Sequence, residues 1–232
     1  MDQGLREANR LTGWTIVFDL DGTLVESAPD LLNALNHTVG PLGIAPIDLH
    51  DIRAMIGRGA KAMIQAAFEA EGRHLEPKNM EALWTSFISH YQSNIAVDSY
   101  LFDGVEIALA DLKNSGATLS VCTNKTQGLS DQLLNELAVA HLFSSVVGSD
   151  SVPAKKPDGG HILTAISRAG GTSRKAIMVG DSRTDEKAAQ NAGLPFIFVP
   201  FGYEVAAVED ITKSAVLNHY SELLESVLAL AG

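Results

Sequence analysis

The sequence predicts an α/β protein: a doubly wound, Rossmann-like parallel sheet, with an all-helical unit inserted after its first strand. Three observations carry this. Short apolar segments alternate with helical patterns over the second half of the chain. Those segments are apolar at consecutive rather than alternate positions, as strands covered on both faces are. From about residue 29 to 98 the alternation stops and only helical periodicity remains.

Taken in order, "TIVF" at 15 is the first strand and runs straight into Asp19. Pro29 opens a helix with Leu31, Leu32, Leu35 and Val39 on one side. "IDLHDIRAMIGRGAKAMIQAAFEAEG" reads as two helices around Gly57 and Gly59. "PKNMEALWTSFISHYQSN" reads as another, carrying Leu83, Phe87, Ile88 and Tyr91. "GVEIALADLKNSG" is helical, with Val105, Ile107, Ala108, Leu109 and Leu112, and Gly116 stops it. Then come strand "ATLSVCT" at 117, helix "SDQLLNELAVAHLF", strand "SSVVGSD" at 144, helix "HILTAISRAGG" and strand "AIMVG" at 176. "DSRTDEKAAQNAG" starts on an Asp-Ser cap and stops at Gly193. Strand "PFIFVP" at 195 follows, and helix "SELLESVLAL" closes the chain after a short apolar "AVL". The expected division is an α/β core over 1–28 and 99–232 and a helical unit over 29–98.

The bulk numbers narrow the function. With 232 residues, 46% apolar and 19% charged, the chain is long enough for a sizeable core and reads as ordinary globular protein. A net charge of -11 argues against nucleic acid or an anionic membrane as main partner, but not against a small anionic substrate. The one cysteine, Cys122, excludes an internal disulfide and a cysteine-rich zinc site. "MDQGLREANRLTG" is polar with no apolar signal core, and no apolar run approaches membrane-spanning length. The expectation is a soluble cytoplasmic protein, its oligomeric state left open.

Ligands of open parallel sheets bind outside the carboxyl ends of the strands. Asp19 and Asp21 follow the first strand; Thr123, Asn124 and Lys125 follow the next; Asp181, Ser182 and Asp185 follow "AIMVG". Lys155, Lys156 and Pro157 lie in the loop after "SSVVGSD". Parallel strands put all these ends on one edge, giving a cleft with several carboxylates, a hydroxyl and at least one lysine. Converging carboxylates need a cation, and carboxylates plus substrate phosphate suit Mg²⁺. An aspartate can attack phosphorus to form an aspartyl-phosphate. A second aspartate can protonate the leaving oxygen and later deprotonate water, and two close carboxylates tend to hold a proton on one of them.

"DLDGT" at 19–23, "TN" at 123, Lys156 before Pro157 and "GDSRTD" at 180–185 resemble, in order and spacing, the four motifs of the haloacid dehalogenase-like hydrolase superfamily. The helical unit stands where that superfamily has its cap domain. "FDLDGTLVESAPDL", "GRGA", "TNKT", "HLFSSVVGSD" and "VGDSRTDEKAAQNAG" resemble its phosphoglycolate phosphatase group, with departures at Glu26, Gly159 and His161. The resemblance implies Asp19 as nucleophile, Asp21 as acid/base, Thr123 and Lys156 on phosphate, and Asp19, Asp21 (through its backbone carbonyl) and Asp181 on Mg²⁺; Asn124, beside Thr123, reads as a cap of the next helix or as a phosphate contact, and is placed with the phosphate group. Asp185 becomes an auxiliary acid near the metal. The implied reaction is hydrolysis of a small phosphate monoester, 2-phosphoglycolate first. A sugar-phosphate mutase, or a phosphatase for another small ester or pyrophosphate, is the alternative. The dehalogenase branch does not need Asp21, and a non-catalytic phosphate binder does not need all four motifs.

Plainer readings exist for single residues. Asp21-Gly22 alone is a turn. Ser182 and Asp185 form a capping box on their own account. Lys155 reads as surface, Lys125 as either surface or site, Cys122 as a small core residue, and the seven histidines as structural or surface. Arg58 and Lys61 read either as a solvated helix start or as basic groups facing the far end of the substrate.

Overall fold

The computed structural model describes residues 9–204 and 208–232. The reading of the N-terminal stretch therefore falls largely on residues outside those described. The strands are β1 Thr15–Phe18, β2 Val25–Glu26, β3 Tyr100–Leu101, β4 Thr118–Cys122, β5 Ser145–Val147, β6 Ala176–Gly180, β7 Phe196–Phe198 and β8 Ala215–Val216. Six of them form one sheet in the order β5-β4-β1-β6-β7-β8, every neighbouring pair parallel. The chain builds outward from β1 on one side, then returns to build on the other, so strand order reverses between β1 and β6. That reversal is where doubly wound sheets open a crevice at their carboxyl edge.

The continuous apolar runs follow from burial on two faces. Along β1, Ile16 and Phe18 enter one core cluster while Val17 enters the other. Along β6, Ile177 and Val179 face the first cluster, Ala176 and Met178 the second. A strand side chain points to alternate faces, so every position is apolar when both faces are covered. Helices α5 Val105–Asn114, α6 Gln127–Glu136 and α9 Leu223–Ala231 pack over the first face, and α7 Gly159–Arg168 and α8 Arg183–Ala192 over the second.

Between β2 and β3 lie α1 Ala28–Val39, α2 Leu49–Arg53, α3 Ala60–Ala70 and α4 Pro77–Ser93, with no sheet strand among them. Their apolar faces, including Leu35, Ile64, Phe68, Phe87 and Tyr91, share one cluster with Phe18, Leu20 and Leu24 at the end of β1. The two chain crossings to this helical unit are tied together. Val25 pairs with Leu101 and Glu26 with Tyr100 in an antiparallel ribbon. Beside it, buried Asp30 accepts hydrogen bonds from Asp98 N at 3.1 Å, Ser99 N at 2.9 Å and Ser99 Oγ at 2.7 Å.

The structure differs from the sequence reading at the short strands β2, β3 and β8 and at the starts of α6 and α7. β8 completes the sheet edge where the sequence offered only a short apolar stretch, and two-residue strands such as β2, β3 and β8 carry no periodicity to detect. α6 starts at Gln127 rather than at Ser130, its first turn fastened by Gln127 N donating to Asp150 Oδ1. α7 starts at Gly159 rather than His161, because Asp158 caps it and accepts from Gly160 N at 2.7 Å.

Candidate active site

Three strand ends deliver the first acids and the hydroxyl. Asp19 follows β1, Thr123 follows β4 and Asp181 follows β6. Each inherits its position from the sheet: Asp19 N donates to Val179 O at 3.0 Å, and Thr123 N to Val147 O at 3.1 Å. Lys156 reaches the same edge from the loop before α7, with its Nζ 2.8 Å from Asp19 Oδ1 and 2.6 Å from Asp185 Oδ1. Of the site residues expected from sequence, Asp19, Asp181 and Lys156 thus stand together, and Asp185 stands with them.

Asp185 does two things at once. Its Oδ2 accepts from Ser182 N and Ser182 Oγ, closing the capping box of α8, while Oδ1 faces Lys156. Ligand oxygens of Asp19, Asp181 and Asp185 all lie within 4.8 Å of one another. Asp181 is held by Thr23 Oγ1 at 3.1 Å and by Tyr203 N at 2.7 Å. Glycines make the room: a Cβ on Gly22 (φ +82°) would sit 2.3 Å from Asp181 Oδ2, and one on Gly202 2.3 Å from Asp181 Cβ.

Electrostatics explains why this cluster calls for a cation. Asp19 is raised to about 7, first by burial; Lys156 pulls against this, while Asp185 and, least, Asp21 push the same way as burial. Asp181 is held well above the usual carboxylate range by burial, then by Asp185 and Asp19. The charge of Asp185 thus acts on Asp19 more strongly than that of Asp21. Three buried carboxylates face one lysine, and Asp19 Oδ1 has no aligned hydrogen-bond donor. An all-oxygen donor set of three converging carboxylates fits a hard divalent cation, so this cluster could hold a metal ion.

Asp21 points elsewhere. Its Oδ1 accepts from Ser27 Oγ at 2.6 Å and lies 3.0 Å from Lys125 Nζ. Asn124 sends its Nδ2 to Lys156 O at 3.1 Å, and its buried Oδ1 has no partner. Asn124 therefore braces the Lys156 backbone here.

His161 is a residue whose role was not legible. Lys156 N donates to His161 Nδ1 at 3.1 Å, so the ring proton sits on Nε2, which donates to Val147 O at 3.1 Å. Burial, then the neighbouring Lys156, lower His161 to about 4. Tyr203 and Glu26 were also missed. Tyr203 Oη donates to Glu26 Oε1 at 2.8 Å, and Arg53 of α2 closes an ion pair on Glu26 Oε2, joining the Asp181 loop to the helical unit. No local pattern marks these residues, since their partners are distant in sequence.

Between the sheet edge and helices α3 and α4 lies a cavity of about 280 Å³, with Asp19, Asp21, Thr123 and Asn124 on its floor and Arg58, Lys61, Lys125 and Lys155 on its walls. A second cavity of about 180 Å³ adjoins Asp19, Asp21 and Asp181, and Arg58 borders both. Arg58, Lys61 and Lys155 are exposed, and Lys61 pairs with Glu81. Cys122 is buried and free, as expected of a small core residue. Among the described residues, no helix is long and apolar enough to cross a membrane.

The chain is similar to known proteins over most of its length. A family model described as haloacid dehalogenase-like hydrolase matches residues 16–199. A phosphoglycolate phosphatase of Caulobacter vibrioides is 42% identical over 95% of this chain and 93% of its own, and one of Agrobacterium fabrum is 39% identical over 89% of each. The crystal structure of a predicted phosphoglycolate phosphatase from Haemophilus somnus superposes with a TM-score of 0.86 at 27% identity, covering 93% of this chain and 97% of that one. With its four motifs gathered at one sheet edge and the match running over most of its length, the chain belongs to the haloacid dehalogenase-like hydrolase family.

Proposed function

We propose that the protein hydrolyses 2-phosphoglycolate to glycolate and phosphate, with Mg²⁺ and through an aspartyl-phosphate on Asp19. That the chain is an enzyme, a phosphoric monoester hydrolase, follows from its family and relatives. The observation that carries the choice of substrate is the cavity over Asp19 and Asp21: it is small, and its walls hold four cationic side chains in a protein of net charge -11. Such a wall favours a compact substrate with a second negative charge beyond the phosphate, and the closely similar phosphatases bear the name of such a substrate.

In this reading the phosphate sits against Thr123 and Lys156. Asp19 attacks phosphorus, and Asp21 gives its proton to the departing ester oxygen. Asp21 then takes a proton from the water that cleaves the aspartyl-phosphate. Lys156 offsets charge on the transferring group. Asp19 and Asp181, the backbone carbonyl of Asp21 and nearby Asp185 are the groups that would hold Mg²⁺. When bound, the ion neutralises the carboxylates and phosphate oxygens so that an anionic nucleophile can approach an anionic ester. Residues 29–98 act as the cap over the core formed by 1–28 and 99–232, and Arg58 is the cap's cation facing the substrate. The setting is the cytoplasm and the partner a small phosphorylated metabolite.

A phosphate-release screen with Mg²⁺ over 2-phosphoglycolate, sugar phosphates, nucleotides and pyrophosphate tests this. The highest kcat/KM is expected for 2-phosphoglycolate; a sugar phosphate or pyrophosphate at the top would overturn the substrate assignment.

A further inference from the structure

Lys125 lies two residues after Thr123 in the loop that follows β4, and its side chain is only 5% exposed. Its Nζ lies 3.0 Å from Asp21 Oδ1, donates to Tyr91 Oη of α4 at 2.9 Å, and sits 4.7 Å from the centre of the Tyr91 ring. An ammonium has three donors. Two are directed at Asp21 and Tyr91; the third has no partner among the described residues, and Lys125 lines the 280 Å³ cavity. A buried cation with an unmatched donor calls for an acceptor from outside the protein.

The position of Asp21 says what that acceptor is. If Asp21 protonates the ester oxygen, that oxygen lies against the Asp21 carboxylate. In 2-phosphoglycolate a single methylene separates the ester oxygen from the carboxylate carbon. An ammonium already in contact with Asp21 therefore reaches a carboxylate on the carbon next to the ester oxygen, and is badly placed for one further along a chain. The other cations of the cavity are solvent-exposed. Their charge is screened by water and salt, whereas that of Lys125 is not.

We propose that Lys125, steadied by Tyr91, is the residue that selects the substrate carboxylate, so that the site takes phosphate esters of 2-hydroxy acids. This rests on the hydrolase reading above and assigns its selectivity to one side chain. Tyr91 belongs to the helical unit and Lys125 to the sheet edge, so the carboxylate site is complete only when the two are packed together.

The test measures kcat/KM with Mg²⁺ for 2-phosphoglycolate and for ethyl phosphate, which keeps the ester and lacks the carboxylate. Wild-type enzyme should favour 2-phosphoglycolate. Lys125→Met should lower that preference roughly 10- to 100-fold, mainly through a raised KM, as loss of a charged hydrogen bond in the bound state does. Lys125→Arg should restore part of it. Should Lys125→Met not accumulate as folded protein, Tyr91→Phe keeps the buried ring, removes one anchor of the ammonium and should lower the same ratio. A ratio unchanged in these variants, with both substrates losing equally, overturns the assignment to Lys125 and leaves the function standing. A wild-type enzyme with no preference for 2-phosphoglycolate over ethyl phosphate overturns both.

Discussion

Lys156 is buried between two carboxylates, and this makes its role structural as well as chemical. Burial works to lower its pKa, but Asp185 and Asp19 outweigh that and hold it raised and charged. Removing it would leave two buried acids without their counter-charge, so Lys156→Met should cost about 3–5 kcal/mol as well as activity. Denaturant unfolding beside phosphate release checks both. Asp19→Asn removes charge from the same cluster. It should abolish phosphate release while the thermal midpoint does not fall, and a variant that still turns over would exclude Asp19 as nucleophile. His161 holds the Lys156 backbone only when neutral. Its folded pKa is depressed from 6.5 to about 4. Between those values the unfolded chain binds a proton that the folded chain does not. Stability is therefore fully present above pH 6.5 and lost as pH falls toward 4, by about 1.4 kcal/mol per unit. His161→Asn should show a shallower acid dependence than wild type over that window in unfolding curves taken at several pH values.

At the scale of elements, the crossings between sheet and helical unit carry their own fastening. Asp30 is 1% exposed and satisfies the backbone of Asp98 and Ser99. Asp30→Ala would strand those donors in a buried place, so a loss of about 2–4 kcal/mol is expected, read as a fall in thermal midpoint of several degrees. Glu26, the position where the chain departs from the phosphoglycolate phosphatase pattern, is not spare acid: it joins Arg53 of α2 to Tyr203 beside Asp181. The capping box of α8 shows one pair serving two ends. Ser182 and Asp185 start the helix as the sequence suggested, and the free oxygen of Asp185 faces Lys156.

At the scale of the whole molecule, the sheet collects charge that folding alone would not place together. Asp19, Asp181 and Asp185 come from two loops and a helix start, and their mutual repulsion has to be relieved for the site to work. A cation that binds only the folded state stabilises it by mass action. Addition of Mg²⁺ to chelator-treated protein should raise the thermal midpoint, and the rise should shrink in Asp181→Asn. Turnover in chelator without added divalent ion would contradict a metal requirement.

The sheet strands, the helical insert and the acids at the strand ends were legible because they rest on local properties. Continuous apolar runs follow from burial on two faces, helical periodicity from one buried stripe, and Asp19, Thr123 and Asp181 from standing immediately after a strand. The four spaced motifs turned those positions into a family. What the sequence could not decide is which side chains meet across long separations. From sequence Lys125 fits surface or site equally; its contact with Tyr91, 34 residues earlier, decides between them. His161 reads from sequence as structural or surface, and only its ring against the Lys156 backbone says which structure it holds. Such contacts are set by how helices and sheet pack, and a hydrogen bond between distant residues leaves no periodicity in the chain. By itself the sequence determined the fold class and the motif residues at one sheet edge; the tertiary structure decided which charges neutralise one another and which cation is left facing the cavity.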